Sequence, residues 1–362
     1  MKNVLLLVGL AVSLSMCSSP TTTETDNNAT TEASPEQQEE ALQVYVEFDA
    51  RPGNVAVASD GRVFTTMHPL GSAEVQLLEV KADGSKEPFP SIDYQKNGAE
   101  ASDDKIDTPL GIRIDQNNVL WITDMGQNLG KTRIWGFDIN TGEEVFKMEL
   151  PEDVAPAGSF VQDLAVDERN GWIYLADIAN PGILVVDTNN KTVRRFADPV
   201  LEAEDIDMVI GGKVIHFGGA PARVAVNPIT LSEDRNTLFF GAMNGTKWYS
   251  LPAAMFRDEA SDEELSQAIA VVGEKPISDG VATDKEGNHY FTNLQDYGLD
   301  VLTSAGELKP VIRDKAIDWA DNVAVGNDGF LYVVVNQLHK TPAFTGAEDL
   351  GKAPFYIMKV KY

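Results

Sequence analysis

The sequence is poor in sulfur, in imidazole and in positive charge. One cysteine in 362 residues excludes an internal disulfide and any thiolate cluster that could hold zinc or iron–sulfur. The four histidines, at 68, 216, 289 and 339, share no metal-ligand spacing, and the sequence places His216 and His289 in the core or at a rim. Lys and Arg number 29 against 56 Asp and Glu, a formal net charge of −27. Such a surface repels phosphate backbones and anionic headgroups, so nucleic-acid binding and electrostatic membrane docking are excluded. The sequence also lacks a G-x-S-x-G nucleophile elbow, a G-x-x-x-x-G-K-[ST] phosphate loop and a G-x-G-x-x-G dinucleotide loop.

What is present begins with a leader. Lys2 is followed by the apolar run Val4–Val12, too short to span a bilayer, and then by Ser13-Leu14-Ser15-Met16-Cys17. This resembles a bacterial lipoprotein signal, which implies cleavage of residues 1–16 and acylation of Cys17. Met16 departs from the small residue usual at that position and leaves simple secretion as the alternative. Residues 17–43 are rich in Thr, Ser, Asn, Glu and Gln with little to bury, the composition of a disordered tether. The expected location is therefore outside the cytoplasm, anchored to the cell envelope by lipid or released.

From residue 44 to 362 the chain repeats. Six short apolar strands, each followed by a polar turn and a second strand, start at Gly53, Leu110, Gln162, Ala222, Asp279 and Asp321. A spacing near fifty residues, without βαβ alternation, matches one blade per repeat. The expected fold is all-β, a six-bladed β-propeller. Val44–Phe48 and Phe355–Val360 both alternate as strands and would close the ring by sharing one blade. The stretch Asp258–Ala270 reads as a short helix capping a face.

Three segments carry a resemblance. Ser159–Asp167 with Gly171–Asp177 and Pro181–Asp187, then Gly241–Pro252, then Trp319–Asn322 with Asn336–Leu338, together resemble the Yellow / major royal jelly protein family. The resemblance implies a secreted six-bladed propeller. Bacterial members carry a dopachrome-tautomerase-related label, and salivary members from blood-feeding insects bind biogenic amines, at positions that correspond to Trp319, Asp321, Asn336 and Leu338. The wider superfamily contains gluconolactonase-like enzymes with a Glu/Asn/Asp set holding calcium or zinc at the inner strand starts. Here Asp279 matches the Asp, whereas the Asn is expected near Ala222-Arg223 and the Glu at Pro52-Gly53. Two of three ligands are thus missing in this reading, and Asp279 is the one candidate metal ligand.

Inner strand starts converge on a propeller's axis, so the candidate ligand site is the ring Gln162, Asp163, Arg223, Asp279, Asp321 and Asn322, with Asn336 beside it and Trp319 as an aromatic wall. Asp124, Asp177 and Asp284 follow or end strands and read as turn fasteners. The expected protein is a monomer that binds a small polar or cationic aromatic ligand without a cofactor. The alternative is a calcium- or zinc-dependent hydrolase, or an isomerase, on the same scaffold.

Overall fold

A computed structural model describes residues 41–71, 73–96 and 100–362. The leader, Cys17 and nearly all of the expected tether lie outside the described residues. Six four-stranded antiparallel sheets stand around one axis. Their innermost strands are Pro52–Val57, Pro109–Ile114, Val161–Asp167, Val226–Leu231, Val281–Thr283 and Ala320–Val325. Each packs against the next, and the sixth returns to the first. Six blades were expected and six are present.

The sequence makes this architecture because each blade is a local meander with polar turns, while its apolar faces need the neighbouring blade. Phe64 and Phe89 of the first blade meet Trp135 and Phe137 of the second. Leu164 and Leu184 meet Ile134 in the next seam, and Phe196 and Tyr174 meet Phe240 and Phe256 in the one after. The expected helix Asp258–Ala270 is two short helices, Ala253–Arg257 and Asp262–Ala268. They lie between the outer strands of the fourth blade and bury Phe256 and Leu265 in that third-to-fourth seam. Ser261 starts the second helix with a reciprocal capping box to Glu264.

The ring closes as expected. Leu42–Phe48 pairs antiparallel with Phe355–Lys361, which pairs with Phe330–Val335, so the first strand of the domain is the outer strand of the last blade. That strand begins two residues before the expected boundary. Among the described residues no helix is long and apolar enough to cross a membrane.

One strand differs in frame from its expectation. The fourth inner strand is Val226–Leu231 and not Ala222–Asn227. The apolar run Val224–Leu231 admits either frame locally. The turn at Ser232–Asn236, where Asp234 accepts from Ser232 Oγ and from the backbone N–H of Asn236, fixes the later one.

A cap covers the face where the inner strands start. Two small hairpins, Val209–Ile210 with Lys213–Val214 and His216–Phe217 with Ala220–Pro221, precede the fourth blade. They join the segment Leu338–Thr345 over an apolar cluster containing Met208, Ile215, Met243, Ile277, Trp319 and Leu338.

Candidate functional site

Every inner strand except the fifth shows a register irregularity near its start, opening the ladder at residues 53–54, 110–111, 162, 227–228 and 321–322. A bulge turns consecutive side chains or N–H groups toward the axis. Threonines on the second strands hold two of these openings and the start of the fifth strand. Thr66 Oγ1 accepts from Asn54 N at 2.9 Å, Thr123 Oγ1 from Gly111 N at 2.9 Å, and Thr292 Oγ1 from Asp279 N at 3.0 Å. Glycine is required at Gly111, because a Cβ there would lie 2.4 Å from the Gln162 carbonyl oxygen.

The result is a buried polar chamber centred on Asp279, which is 1% exposed. Its Oδ1 accepts from Gln162 Nε2 at 2.7 Å and from Asn227 Nδ2 at 2.6 Å, and its Oδ2 accepts from Trp319 Nε1 at 2.8 Å. Residues of the third, fourth, fifth and sixth blades thus meet on one carboxyl. Trp319 holds its position with a left-handed backbone, φ +62°, a conformation that costs a bulky residue on the order of 1–3 kcal/mol. Asp321 Oδ2 accepts from Asn336 Nδ2 at 2.7 Å, and His68 Nε2 stands 3.9 Å from the same oxygen. Asp163 Oδ1 accepts from Leu164 N at 2.9 Å, and Asn322 Oδ1 accepts from Val55 N, joining the sixth blade to the first.

Too little positive charge enters the chamber to balance these carboxyls. Arg113 lies across the axis, donating to the carbonyls of Leu164 and Val281, with Nη2 4.0 Å from Asp163 Oδ2. Burial depresses His68 to about 3, helped by the charge of Arg51, so it is neutral. Burial pushes Asp163 up to about 6 and Asp279 up to about 7, the latter held back by its three donors. Asp321 is raised by burial and by the nearby charge of Asp279. Five buried oxygens, Asn54 Oδ1, Asp163 Oδ2, Asn227 Oδ1, Asp321 Oδ1 and Asn336 Oδ1, have no hydrogen-bond partner. The three amide oxygens only accept, as do the two carboxyl oxygens once ionised, and a buried acceptor left alone costs about 1–3 kcal/mol.

The structure gathers Gln162, Asp163, Asp279, Trp319, Asp321, Asn322 and Asn336 as the sequence led us to expect. Arg223 is elsewhere. It is exposed and bonds Asp205 and Asp207 at 2.9 and 2.8 Å in the cap, because the fourth strand begins three residues after it. The guanidinium beside Asp163 is Arg113, and Asn227 occupies the fourth strand's axial position. Neither was singled out as a site residue from sequence. The signal for Asn227 was the Ser232–Asn236 turn, which counts back to it. His68, expected nowhere in particular, borders the chamber, and His289 is core. Trp319 is not an open wall, since it is 1% exposed beneath His339, whose ring stacks on it at 5.6 Å.

The strand-end carboxylates fasten turns. Asp177 accepts from Phe160 N, Ala179 N, Asn180 N and Arg195. Asp284 accepts from Glu286 N, Asn288 N and Tyr290. Asp124 accepts from the backbone of Asp107, Thr108 and Gly126, from Trp135 Nε1 at 3.0 Å and from Arg133 Nη2 at 2.7 Å, with both charges fully buried. Asp124→Ala is therefore expected to destabilise the ring by about 3–5 kcal/mol, because it strands Arg133 without its partner. Denaturant unfolding measures this, and a loss below about 1 kcal/mol would contradict it.

A metal can be tested against this chamber. Of the residue types in the Glu/Asn/Asp set, the chamber offers Asp279 and, bonded to it, the amide of Asn227, and Gly53 stands at the position expected for the Glu. Among the described residues no three His, Cys, Asp or Glu side chains gather closely enough to hold an ion alone. Amide oxygens would complete the set, and Asn54 and Asn227 each present one without a partner. The oxygen-only chemistry suits a hard cation.

Comparisons with known proteins bear on this arrangement. The model of the major royal jelly protein family matches residues 108–361. Protein yellow of Drosophila melanogaster is 24% identical over 238 residues, 60% of this chain and 42% of that protein. Protein yellow of Drosophila guanche is 24% identical over 244 residues, 62% of this chain and 41% of that protein. The matched region thus spans about two-fifths of the length of these relatives. Among solved structures, a gluconolactonase from Xanthomonas campestris has a TM-score of 0.55 at 13% identity, covering 88% of this chain and 89% of that one. Virginiamycin B lyase from Staphylococcus aureus has a TM-score of 0.53 at 16% identity, covering 89% and 99%. Identities this low carry the propeller fold alone.

Proposed function

The chain belongs to the major royal jelly protein family, and from that premise we propose that it is an exported propeller whose axial chamber binds a small organic cation. The observation that carries this reading is the set of five buried oxygens without partners, on Asn54, Asp163, Asn227, Asp321 and Asn336. Only a donor or a cation satisfies them. An ammonium group supplies both, with up to three N–H donors and one positive charge. Asp163, Asp279 and Asp321 would ionise around it, since their raised affinities for protons come from burial and, for Asp279 and Asp321, from neighbouring carboxylates, which a bound charge offsets. Export rests on the composition of residues 1–43 and on Cys17.

A second reading has its own support. Asn227 offers, bonded to Asp279, an amide of the type found in the gluconolactonase-like set, so a divalent cation held by Asp279, Asn227 and Asn54 is the alternative occupant. When bound, such an ion supplies fixed positive charge that polarises a carbonyl. The residues themselves would orient it, and the cap would exclude water.

Isothermal titration tests both. Tyramine, dopamine and calcium chloride are the candidates, and glucose is the neutral control. One of the cations is expected to bind, with affinity at least tenfold weaker in Asp321→Asn, a substitution that keeps the acceptor for Asn336. Equal affinity in the variant, or binding of glucose alone, would overturn the chamber assignment.

A further inference from the structure

The cap holds a second cavity whose chemistry is opposite to that of the chamber. Its volume is about 550 Å³, within the size of ordinary small-molecule sites. It opens between the hairpins at 209–221 and the segment 338–350, and its lining includes Lys213, His216, Tyr297, His339, Lys340 and Phe344.

Two features set it apart. In a chain with almost two carboxylates per basic side chain, this cavity is lined by two lysines and two histidines and by no Asp or Glu. Lys340 is paired, donating to Asp318 and to Gln337. Lys213 is exposed and makes no ion pair or side-chain hydrogen bond among the described residues. His339 Nδ1 is buried and has no partner. One free cation, Lys213, therefore faces this space, while His339 turns its Nε2 toward Asp318 Oδ1 at 3.6 Å.

The second feature is apolar and aromatic. Four rings, of His216, Tyr297, His339 and Phe344, line the walls. Val209, Val214, Phe217 and Leu350 leave 37%, 37%, 49% and 53% of their surfaces exposed on this same cap. Phe217 meets the Phe344 ring edge-on at 5.0 Å, and Phe344 in turn meets Trp319 at 5.3 Å. Clustered exposed apolar groups beside unpaired positive charge fit a ligand with a flat apolar part and one negative group.

The geometry points to a second binding site, in the cap, for an aromatic organic anion such as an aryl carboxylate or sulfonate. Its ring packs among Tyr297, His339 and Phe344, and its anionic group meets Lys213. The site lies above the Trp319–His339 stack and is distinct from the acidic chamber below. The acidity of the rest of the surface sharpens its selectivity, since an anion finds no comparable ring-lined basic recess among the cavities described.

Anilinonaphthalene sulfonate is a suitable probe, read by its fluorescence on the intact domain. One equivalent is expected to bind per chain, and phenylnaphthylamine, the uncharged analogue, to bind at least tenfold more weakly. Lys213→Glu and Lys213→Met sit on an exposed hairpin, and both are expected to lower sulfonate affinity at least fivefold with melting unchanged. Phe344→Ser is expected to weaken both probes. Asp321→Asn, which alters the chamber, is expected to leave sulfonate affinity within twofold, so failure of the chamber reading and failure of this one are separable. Equal binding of the two probes, an unaffected Lys213→Glu, or loss of binding in Asp321→Asn would each overturn the proposal.

Discussion

Removal of Leu42–Phe48 is expected to unfold the whole ring. This strand pairs with Phe355–Lys361 at six positions, from Leu42 opposite Val360 to Phe48 opposite Phe355. It buries Val46 and Phe48 in the seam between the sixth and first blades, against Val55, Val63 and Val80. Burying each such side chain contributes about 1.5–3 kcal/mol, and each backbone hydrogen bond about 1 kcal/mol. Together these approach the net stability of a typical domain, about 5–15 kcal/mol. The deletion also leaves Phe355–Lys361 as an unprotected edge, free to pair with another molecule. Thermal melting by circular dichroism and the elution volume of the truncated chain give the test. Loss of the cooperative transition, or aggregation, is expected, and a truncated monomer that melts within about 3 °C of the intact chain would refute closure by this strand.

The second large effect concerns pH. Asp163 and Asp279 titrate near 6 and 7 in the folded protein, and Asp321 is also raised, against an ordinary value of 3.8. The folded state therefore keeps protons that the unfolded chain has released. Their contribution to stability is fully present below about pH 4 and is lost as pH rises through 6 to 7. The buried histidines run the other way. His68 and His289, lowered to about 3 and about 4, remain neutral when folded, so their contribution is lost as pH falls below 6.5.

Comparison with Asp321→Asn separates the two. The amide keeps the acceptor for Asn336 and cannot ionise, and it relieves Asp279 of a charged neighbour. The variant is expected to match the parent near pH 4.5 and to exceed it in stability at pH 8, as the parent's carboxyls become charged without a counterion. Chemical denaturation across that range measures the gap. A gap that does not widen with pH would show that Asp321 carries no unfavourable charge. Saturating cation should close the gap from the parent's side, because a bound positive charge stabilises the ionised carboxyls.

Much of this molecule is legible residue by residue. Hairpins such as Asp284–Asn288 declare themselves because Asp284 fastens its own turn through Glu286 N and Asn288 N, within four residues of chain. Repeating that unit six times, with a strand to spare at each end, leaves a closed ring as the way to cover the blades' apolar faces. The strand starts Gln162-Asp163, Asp279 and Asp321-Asn322 were readable for the same reason, since each opens or just precedes a strand whose frame its own turn fixes.

Other parts of the site were not local. Val224–Leu231 supports two frames, and although the Ser232–Asn236 turn fixes the later one, Asn227 reaches the axis through a bulge that exists only when the fourth inner strand pairs with Thr237–Ala242. Arg113 reads as a solvent-facing residue until two other blades present Leu164 O and Val281 O to it across the axis. Trp319 looks like an open aromatic wall until the cap, built from hairpins at 209–221 and from the segment 338–345, closes above.

The sequence alone therefore determined the blade count, the closing strands, the excess of negative charge and most members of the axial ring, because turn chemistry and strand alternation act over a few residues. Only the tertiary structure decided which oxygens remain without partners, which arginine approaches the carboxylates, and that a basic aromatic recess sits over an acidic chamber. Those properties depend on burial and on distances between blades, and a residue acquires them only when distant segments bring their side chains together.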